Sequence, residues 1–244
     1  MRTSEQPQPT ITPIESGSAT THVKYAVEYP LPGASQTHEL VSVGNDRMIV
    51  ITQQSDSILL KVQLNDQGRP VEARSFQIGT PRSGLHGIRP SEAYPGQVWI
   101  TLQFDSQLIR LDPVATDVTA PPVIQQVIDV PQPGFGPHVA VENGDDLLVS
   151  LKDSADVLRI SYTDPTDYDL YPVSRTPVFV DRHPVSGLIY ASIDISSKVA
   201  IIDQAAGTVT ERSVLEEGGT AVGLVVGNDH NIWVVLLGNS ETGT

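Results

Sequence analysis

Short apolar runs alternate with turn-forming residues along almost the whole chain, and they recur in groups of four. The clearest group reads GLHGIRP, GQVWITLQF, SQLIRLDP and PVIQQVIDVPQ, and each run is bounded by Gly, Pro, Asp or Ser. Runs of this kind, rich in Val, Ile, Leu and aromatic residues, are typical of β-strands. Because no long apolar stretch with a helical period competes with them, the pattern predicts an all-β chain with little helix.

The group of four occurs four times and begins a fifth time. The same position near the start of each first strand falls on His38, His86, His138, Val178 and Val222, at spacings of 48, 52, 40 and 44 residues. Four strands at this spacing are the signature of a β-propeller blade. The second strands (MIVIT, VWITL, LLVSL, LIYAS, IWVVLL) are nearly continuous in apolar character, as expected of strands buried on both faces.

The fifth group supplies only two strands, TAVGLVV and HNIWVVLLG. Two further strands are predicted near the N-terminus, over residues 10–15 and 23–31. Pairing of these N-terminal strands with the C-terminal pair would complete a fifth blade and remove the exposed sheet edges. We therefore predict a single five-bladed propeller over residues 21–244, preceded by a flexible polar leader over residues 1–20. A sixth, degenerate blade is the alternative.

The first strands of a propeller line its central channel, so the five equivalent residues are expected to form a ring. His38, His86 and His138 would make one side polar, whereas Val178 and Val222 would make the other side apolar, which suits an organic ligand. Histidine titrates near neutral pH, which favours acid–base or orienting roles. The alternative is that each imidazole hydrogen-bonds the backbone of a neighbouring blade. A three-histidine metal site is disfavoured by the expected width of the channel.

A second ring is predicted where the second strands end. Its members, assigned to substrate binding, are Gln54, Gln103, Lys152 and Asp194. Ordinary solvated hairpin residues are the alternative. Arg89 is a further substrate-binding candidate, although strand alternation turns it away from the face of His86 and a salt bridge between blades is expected. By the same alternation, Glu39 is expected to face away from His38.

Composition narrows the functional classes. The net charge of −14 opposes nucleic-acid binding, because phosphate recognition needs an excess of Lys and Arg. The absence of cysteine excludes thiolate metal ligands and cysteine nucleophiles. No apolar stretch approaches the roughly 20 residues that span a bilayer, and the first twenty residues lack the apolar core of a signal peptide. A cytoplasmic location without membrane contact is therefore expected, and the oligomeric state is undetermined.

Several stretches carry a family resemblance. EYPLP, GLHGI, GPHVAV and the pattern VWIT…SQLIRLDP resemble the repeats of virginiamycin B lyase and its relatives, from about Val23 onward. The resemblance implies a seven-bladed propeller and a magnesium-assisted, non-hydrolytic opening of a cyclic depsipeptide. The family's Glu after Trp-Phe-Thr is replaced here, by Gln53, Leu102, Leu151 and Ile193. In size and class the chain is also similar, more loosely, to short fungal propellers that catalyse hetero-Diels–Alder couplings.

Together these features predict an enzyme for a small apolar or polycyclic natural product, acting in the central funnel by a non-redox cycloaddition, elimination or isomerisation. A cycloaddition needs mainly confinement and orientation of two reactive groups. We expect His86 and His138 to orient or protonate the substrate, with assistance from His38. The residues themselves indicate no cofactor and no metal ligand, whereas the resemblance implies Mg²⁺. A magnesium-dependent lyase and a non-catalytic binding scaffold are the alternatives.

Overall fold

Strands joined by turns, bends and irregular loops make up the described part of the chain. This computed structural model describes residues 10–13, 25–29, 31, 33, 36–214 and 219–237. Within those ranges there is no helix, and accordingly none that is long and apolar enough to cross a membrane. The expectation of an all-β chain is confirmed for these residues.

Sixteen strands form four antiparallel sheets, and in each sheet the four strands pair in chain order. The first blade contains β3 (Thr37–Val43), β4 (Met48–Gln53), β5 (Ile58–Leu64) and β6 (Pro70–Gln77). The second contains β7 (Leu85–Pro90), β8 (Val98–Leu102), β9 (Gln107–Asp112) and β10 (Val123–Asp129). The third contains β11 (Pro137–Asn143), β12 (Asp146–Leu151), β13 (Asp156–Ser161) and β14 (Tyr168–Pro172). The fourth contains β15 (Pro177–Arg182), β16 (Ile189–Ile193), β17 (Lys198–Asp203) and β18 (Thr208–Ser213).

The remaining strands form two separate hairpins. At the C-terminal end β19 (Thr220–Val226) pairs with β20 (Ile232–Leu237), and near the N-terminus β1 (Thr10–Pro13) pairs with β2 (Tyr25–Glu28). Each hairpin is a sheet of its own, so the predicted ladder between the two hairpins is wrong for the described strands. The fifth sheet has two strands among the residues that the structure describes.

The chain divides into two compact units, residues 1–34 and residues 35–244. The first unit contains the β1–β2 hairpin, so the predicted strand at 23–31 falls here rather than in the second unit. The second unit contains all five blade sheets, and their first strands β3, β7, β11, β15 and β19 pack against one another in chain order. The rest of the predicted leader, residues 1–9 and 14–20, lies outside the described residues.

Every first strand of the five blades carries a register shift near its start. The shift follows Thr37, Leu85, Pro137, Pro177 and Ala221 in the five strands. In each case the residue immediately after it is one of the five equivalent positions from the sequence repeat. A bulge of this kind bends the strand and re-aims the side chains within it. The repeat alignment based on His38, His86, His138, Val178 and Val222 therefore matches a repeated backbone feature.

A buried hydroxyl side chain links each of the first three bulges to the next blade. The Thr101 hydroxyl accepts a hydrogen bond from the Gly87 N–H of its own blade (2.8 Å) and donates one to the His138 carbonyl of the third blade (2.9 Å). Thr52 makes the corresponding bond to the His86 carbonyl (2.5 Å), and Ser150 makes it to the Val178 carbonyl (2.7 Å). All three hydroxyl residues are fully buried. Each bridge therefore sets the position of one blade's channel residue relative to the preceding blade.

The two tryptophans show that the burial of a second-strand side chain depends on the neighbouring strands and blade. Trp99 on β8 is 1% exposed, and its indole N–H donates to Glu142 of the third blade. Trp233 on β20 is 59% exposed, and its indole N–H donates instead to Asp229 in its own hairpin. The two residues occupy equivalent second-strand sites in the repeat, where burial in the core is the simplest expectation. Trp233 departs from that expectation, because β20 has no following strand in its sheet among the described strands.

Replacing Thr101 by Val should lower the free energy of unfolding by about 1–3 kcal/mol, because it leaves the Gly87 N–H and the His138 carbonyl without this partner in a buried place. Urea denaturation of the two proteins measures the difference. Thr210→Val on the exposed strand β18 is the matched control and should change stability by less than about 0.5 kcal/mol. Equal stability of the Thr101 variant and the wild type would contradict the bridging role.

Candidate functional site

Three imidazole rings from successive blades form a row at the starts of β3, β7 and β11. The ring centroids of His38 and His86 lie 3.7 Å apart, and those of His86 and His138 lie 3.9 Å apart. His38 is exposed, whereas His86 and His138 are only 2% and 4% exposed. The structure thus brings the three predicted histidines together in one row, with His38 and His138 at its two ends, 6.3 Å apart between ring centroids. The bulges account for this, because they turn the three side chains toward the axis.

The apolar continuation of this row comes from Phe179 rather than from Val178. The Phe179 ring meets the His138 ring edge-on at a centroid distance of 5.9 Å, and the Arg89 guanidinium lies 5.5 Å from its centre. Val178 is 4% exposed and contributes its carbonyl to the bridge from Ser150, whereas Val222 is half-buried. The sequence repeat does not indicate Phe179, because the bulge places two consecutive residues, 178 and 179, opposite one residue of β16.

Glu39 lies against the buried histidines, contrary to the expectation from strand alternation. One of its carboxylate oxygens, Oε2, accepts hydrogen bonds from the Arg89 side chain and from the Ile88 N–H. A ligand-capable atom of Glu39 lies within 4.8 Å of one from each of His86 and His138. Alternation fails here because Glu39 is itself part of the bulge in β3. The predicted blade-to-blade salt bridge of Arg89 is present, and Glu39 is its partner.

The predicted second ring forms a chain of polar contacts across the blades. Gln54 donates to the Gln103 side chain (2.7 Å), and Gln103 donates to Asp153 (3.3 Å). Lys152 pairs with Asp194 of the fourth blade, with the Lys152 Nζ 3.8 Å from a carboxylate oxygen. Asp153, which follows Lys152 in the β12–β13 hairpin, also takes part in these contacts through its side chain. The ring therefore lies at the same end of the blades as the histidines.

Burial and positive charge keep the imidazoles neutral. Desolvation lowers the pKa of His86 to about 3 and lowers the pKa of His138 well below its ordinary value. The pKa of the exposed His38 is also lowered, by partial desolvation and then by the charge of Lys152. Desolvation raises the pKa of Glu39, and the charge of Arg89 opposes that shift. The Lys152 charge acts on all three histidines, which places it close to the row.

Exposed apolar side chains surround this end of the blades. Phe104 follows Gln103 in the β8–β9 hairpin, Phe135 precedes β11, and Ile195 follows Asp194 in the β16–β17 hairpin. All three are exposed, and Phe104 covers Gly84, where a Cβ atom would lie 2.6 Å from its ring. Apolar side chains beside a few polar groups are typical of small-molecule sites.

A separate cavity of about 430 Å³ lies at the opposite ends of β3 and β7. It is lined by Ser42, Val43, Gly44, Asn45, Asp46, Pro90, Pro95, Gly96 and Gln97. This lining includes none of the predicted site residues, so the cavity is distinct from the histidine row.

Comparison with known proteins shows the fold. The chain is similar to a streptogramin B lyase (17% identity, TM-score 0.63, covering 83% of this chain and 62% of that one). It is also similar to catalytically inactive virginiamycin B lyase from Staphylococcus aureus with quinupristin (15%, 0.66, 87% and 68%). A third similar structure is the β-propeller domain of Myceliophteria thermophila Cps50 (Swd1) (10%, 0.60, 84% and 64%).

No protein-family model matches the sequence, and no curated protein does. The chain spans less than two thirds of the length of the streptogramin B lyase. At these identities the likeness establishes the architecture alone, and lyases are among the proteins that share it. The chain is therefore an all-β propeller protein whose described blades resemble part of a larger propeller.

Proposed function

We propose that this protein is an enzyme that removes a proton next to a carbonyl group of a small, largely apolar molecule, in an elimination or an isomerisation. The observation that carries the proposal is the row of neutral imidazoles that begins at the exposed His38. Of the non-redox steps considered from the sequence, these two fit better than a cycloaddition, because the site combines a base with a nearby cation. His38 is the catalytic residue in this proposal.

The base must be unprotonated at neutral pH and accessible to substrate. Desolvation and the Lys152 charge lower the pKa of His38, so its imidazole is neutral and available to accept a proton. His86 and His138 lie behind it, buried and also neutral. They position the His38 ring, since the His86 ring packs directly against it.

Removal of a proton next to a carbonyl develops negative charge on the carbonyl oxygen, and a positioned cation stabilises that charge. Lys152 is suited to this role, because it acts electrostatically on all three histidines and is only partly neutralised by Asp194 at 3.8 Å. The exposed Phe104, Phe135 and Ile195 favour an apolar substrate body. Similarity to lyases is consistent with this class of reaction and does not identify the substrate.

The neutral state of His86 should appear in the pH dependence of stability. Below pH 6.5 the unfolded chain binds a proton at this residue, whereas the folded chain does so only near its lowered pKa of about 3. Stability is therefore lost as pH falls through this window, by up to about 1.4 kcal/mol per pH unit for one histidine. Urea denaturation between pH 7.5 and pH 4 should show a smaller loss for His86→Gln than for the wild type. The exposed His230→Asn is the control and should follow the wild type; a steeper loss in the His86 variant would contradict the assignment.

Substitution of His38 by Gln should slow proton removal by about 100-fold or more, because it removes the general base. Since the substrate is unidentified, the assay follows exchange of α-protons for deuterium in D₂O across a panel of apolar ketones, esters and lactones that includes quinupristin. NMR detects exchange, and mass spectrometry detects elimination products. His230→Asn should retain the wild-type rate.

Panel members that bind the wild-type protein without exchange or product would oppose the enzyme and favour a binding scaffold. Exchange at an undiminished rate in the His38 variant would oppose His38 as the base. Lys152→Gln tests the role of the cation in stabilising the carbonyl oxygen. This substitution should lower the rate of exchange while leaving the fold intact, as judged by circular dichroism.

A further inference from the structure

Three buried side-chain atoms in the channel accept hydrogen bonds but have no donor. They are Nδ1 of His86, Nδ1 of His138 and Oε1 of Glu39. Ligand-capable atoms of these same three residues all lie within 4.8 Å of one another. Buried polar atoms are normally satisfied, so three unsatisfied atoms in one cluster indicate a missing partner.

The unpartnered Nδ1 atoms are suited to binding a metal. The neutral tautomer of each ring that carries its proton on Nε2 leaves a lone pair on Nδ1, where no other group uses it. The backbone of His138 beside His86, and that of Val178 beside His138, acts to raise the pKa of each ring. A histidine that binds a metal usually donates its other N–H to a carbonyl or carboxylate, which fixes this tautomer.

Glu39 supplies the negative charge of the cluster. Its Oε2 is held by Arg89 and by the Ile88 N–H, which leaves Oε1 directed without a partner into a buried place. Two imidazoles and one carboxylate form a donor set that suits divalent transition metals better than Mg²⁺ or Ca²⁺, which prefer oxygen ligands. Because Arg89 and the Ile88 N–H hold Oε2, the Glu39 carboxylate is already oriented, with Oε1 left for a metal ion.

The distances are close to those of an open three-ligand site. A zinc ion about 2.1 Å from each ligand atom holds tetrahedral ligands roughly 3.4 Å apart, so movements of about an ångström would close the site. Two cations oppose metal binding: Arg89, which pairs with Glu39, and Lys152, which pairs with Asp194. Asp194 offsets the charge of Lys152 only in part, and a divalent ion would share the Glu39 carboxylate with Arg89 through its two oxygens.

We propose that Glu39, His86 and His138 bind one divalent transition-metal ion of the Zn²⁺ or Co²⁺ type. His38 stands at the entrance to this site, and water or a substrate atom completes the coordination. The site does not rest on the proposed function, because metal binding can be measured without a substrate. It differs from the magnesium dependence implied by the family resemblance in its ligands and in the metal it selects.

The test uses the whole chain, freed of metal by a chelator and then dialysed. Titration with Co²⁺ should produce the visible absorption of a protein-bound ion with one Co²⁺ per chain, and Zn²⁺ should abolish it by displacement. Excess Mg²⁺ should not displace it. Glu39→Gln and His86→Gln should each weaken Co²⁺ binding by at least about tenfold, since even the loss of an outer partner of a metal ligand commonly costs that much.

His230→Asn is the matched control, because His183 and His230 form a second histidine pair, at a centroid distance of 6.0 Å and outside the channel. This variant should bind Co²⁺ like the wild type. Absence of the band in the wild type, or its loss in the His230 variant with retention in the Glu39 and His86 variants, would overturn the proposal. Circular dichroism establishes that each variant is folded, and a rise in the Tm of the wild type with Zn²⁺ provides a second readout.

Discussion

The hydroxyl bridge between neighbouring blades is the interaction on which the rest of the structure depends. The bulge in each first strand leaves one N–H and one carbonyl outside the regular strand ladder. The hydroxyl of a Thr or Ser in the second strand accepts a hydrogen bond from the N–H of its own blade and donates one to the bulge carbonyl of the next blade. Thr52, Thr101 and Ser150 repeat this arrangement, and all three side chains are fully buried. Leaving such groups unpaired is costly, so the relative position of successive blades is strongly determined.

The same bridges place the chemistry of the channel. Since each one holds the backbone at a channel position, neighbouring imidazoles in the row are brought to within 4 Å of each other between ring centroids. Close packing removes water from His86 and His138 and keeps them uncharged. It also turns Glu39 toward them and leaves their Nδ1 atoms unpaired. One local backbone irregularity thus accounts for both the proton chemistry and the metal site that we propose.

The fold was largely predictable because a propeller blade is a repeated local pattern. Apolar runs with period-two character and turn residues between them indicate four strands per blade whatever the contacts between blades. The strands over 10–15 and 23–31 were also recognised, but not their partners. Strand propensity does not specify which edge a hairpin joins, so β1 pairs with β2 and the predicted closure is absent from the described strands. Trp233 shows the same limit, since its exposure depends on a neighbouring strand and not on its own repeat.

By itself the sequence determined the repeat, the five equivalent first-strand positions and the second-strand ends that carry Gln54, Gln103, Lys152 and Asp194, because these follow from spacing within a regular unit. Only the tertiary structure decided which histidine is exposed, that Phe179 rather than Val178 meets the row, and that Glu39 joins it. Sequence alternation assumes an unbroken strand, and a bulge shifts the facing of every residue within it. The Thr or Ser of the second strand is visible in the first four repeats, yet its bond across blades requires the packed sheets.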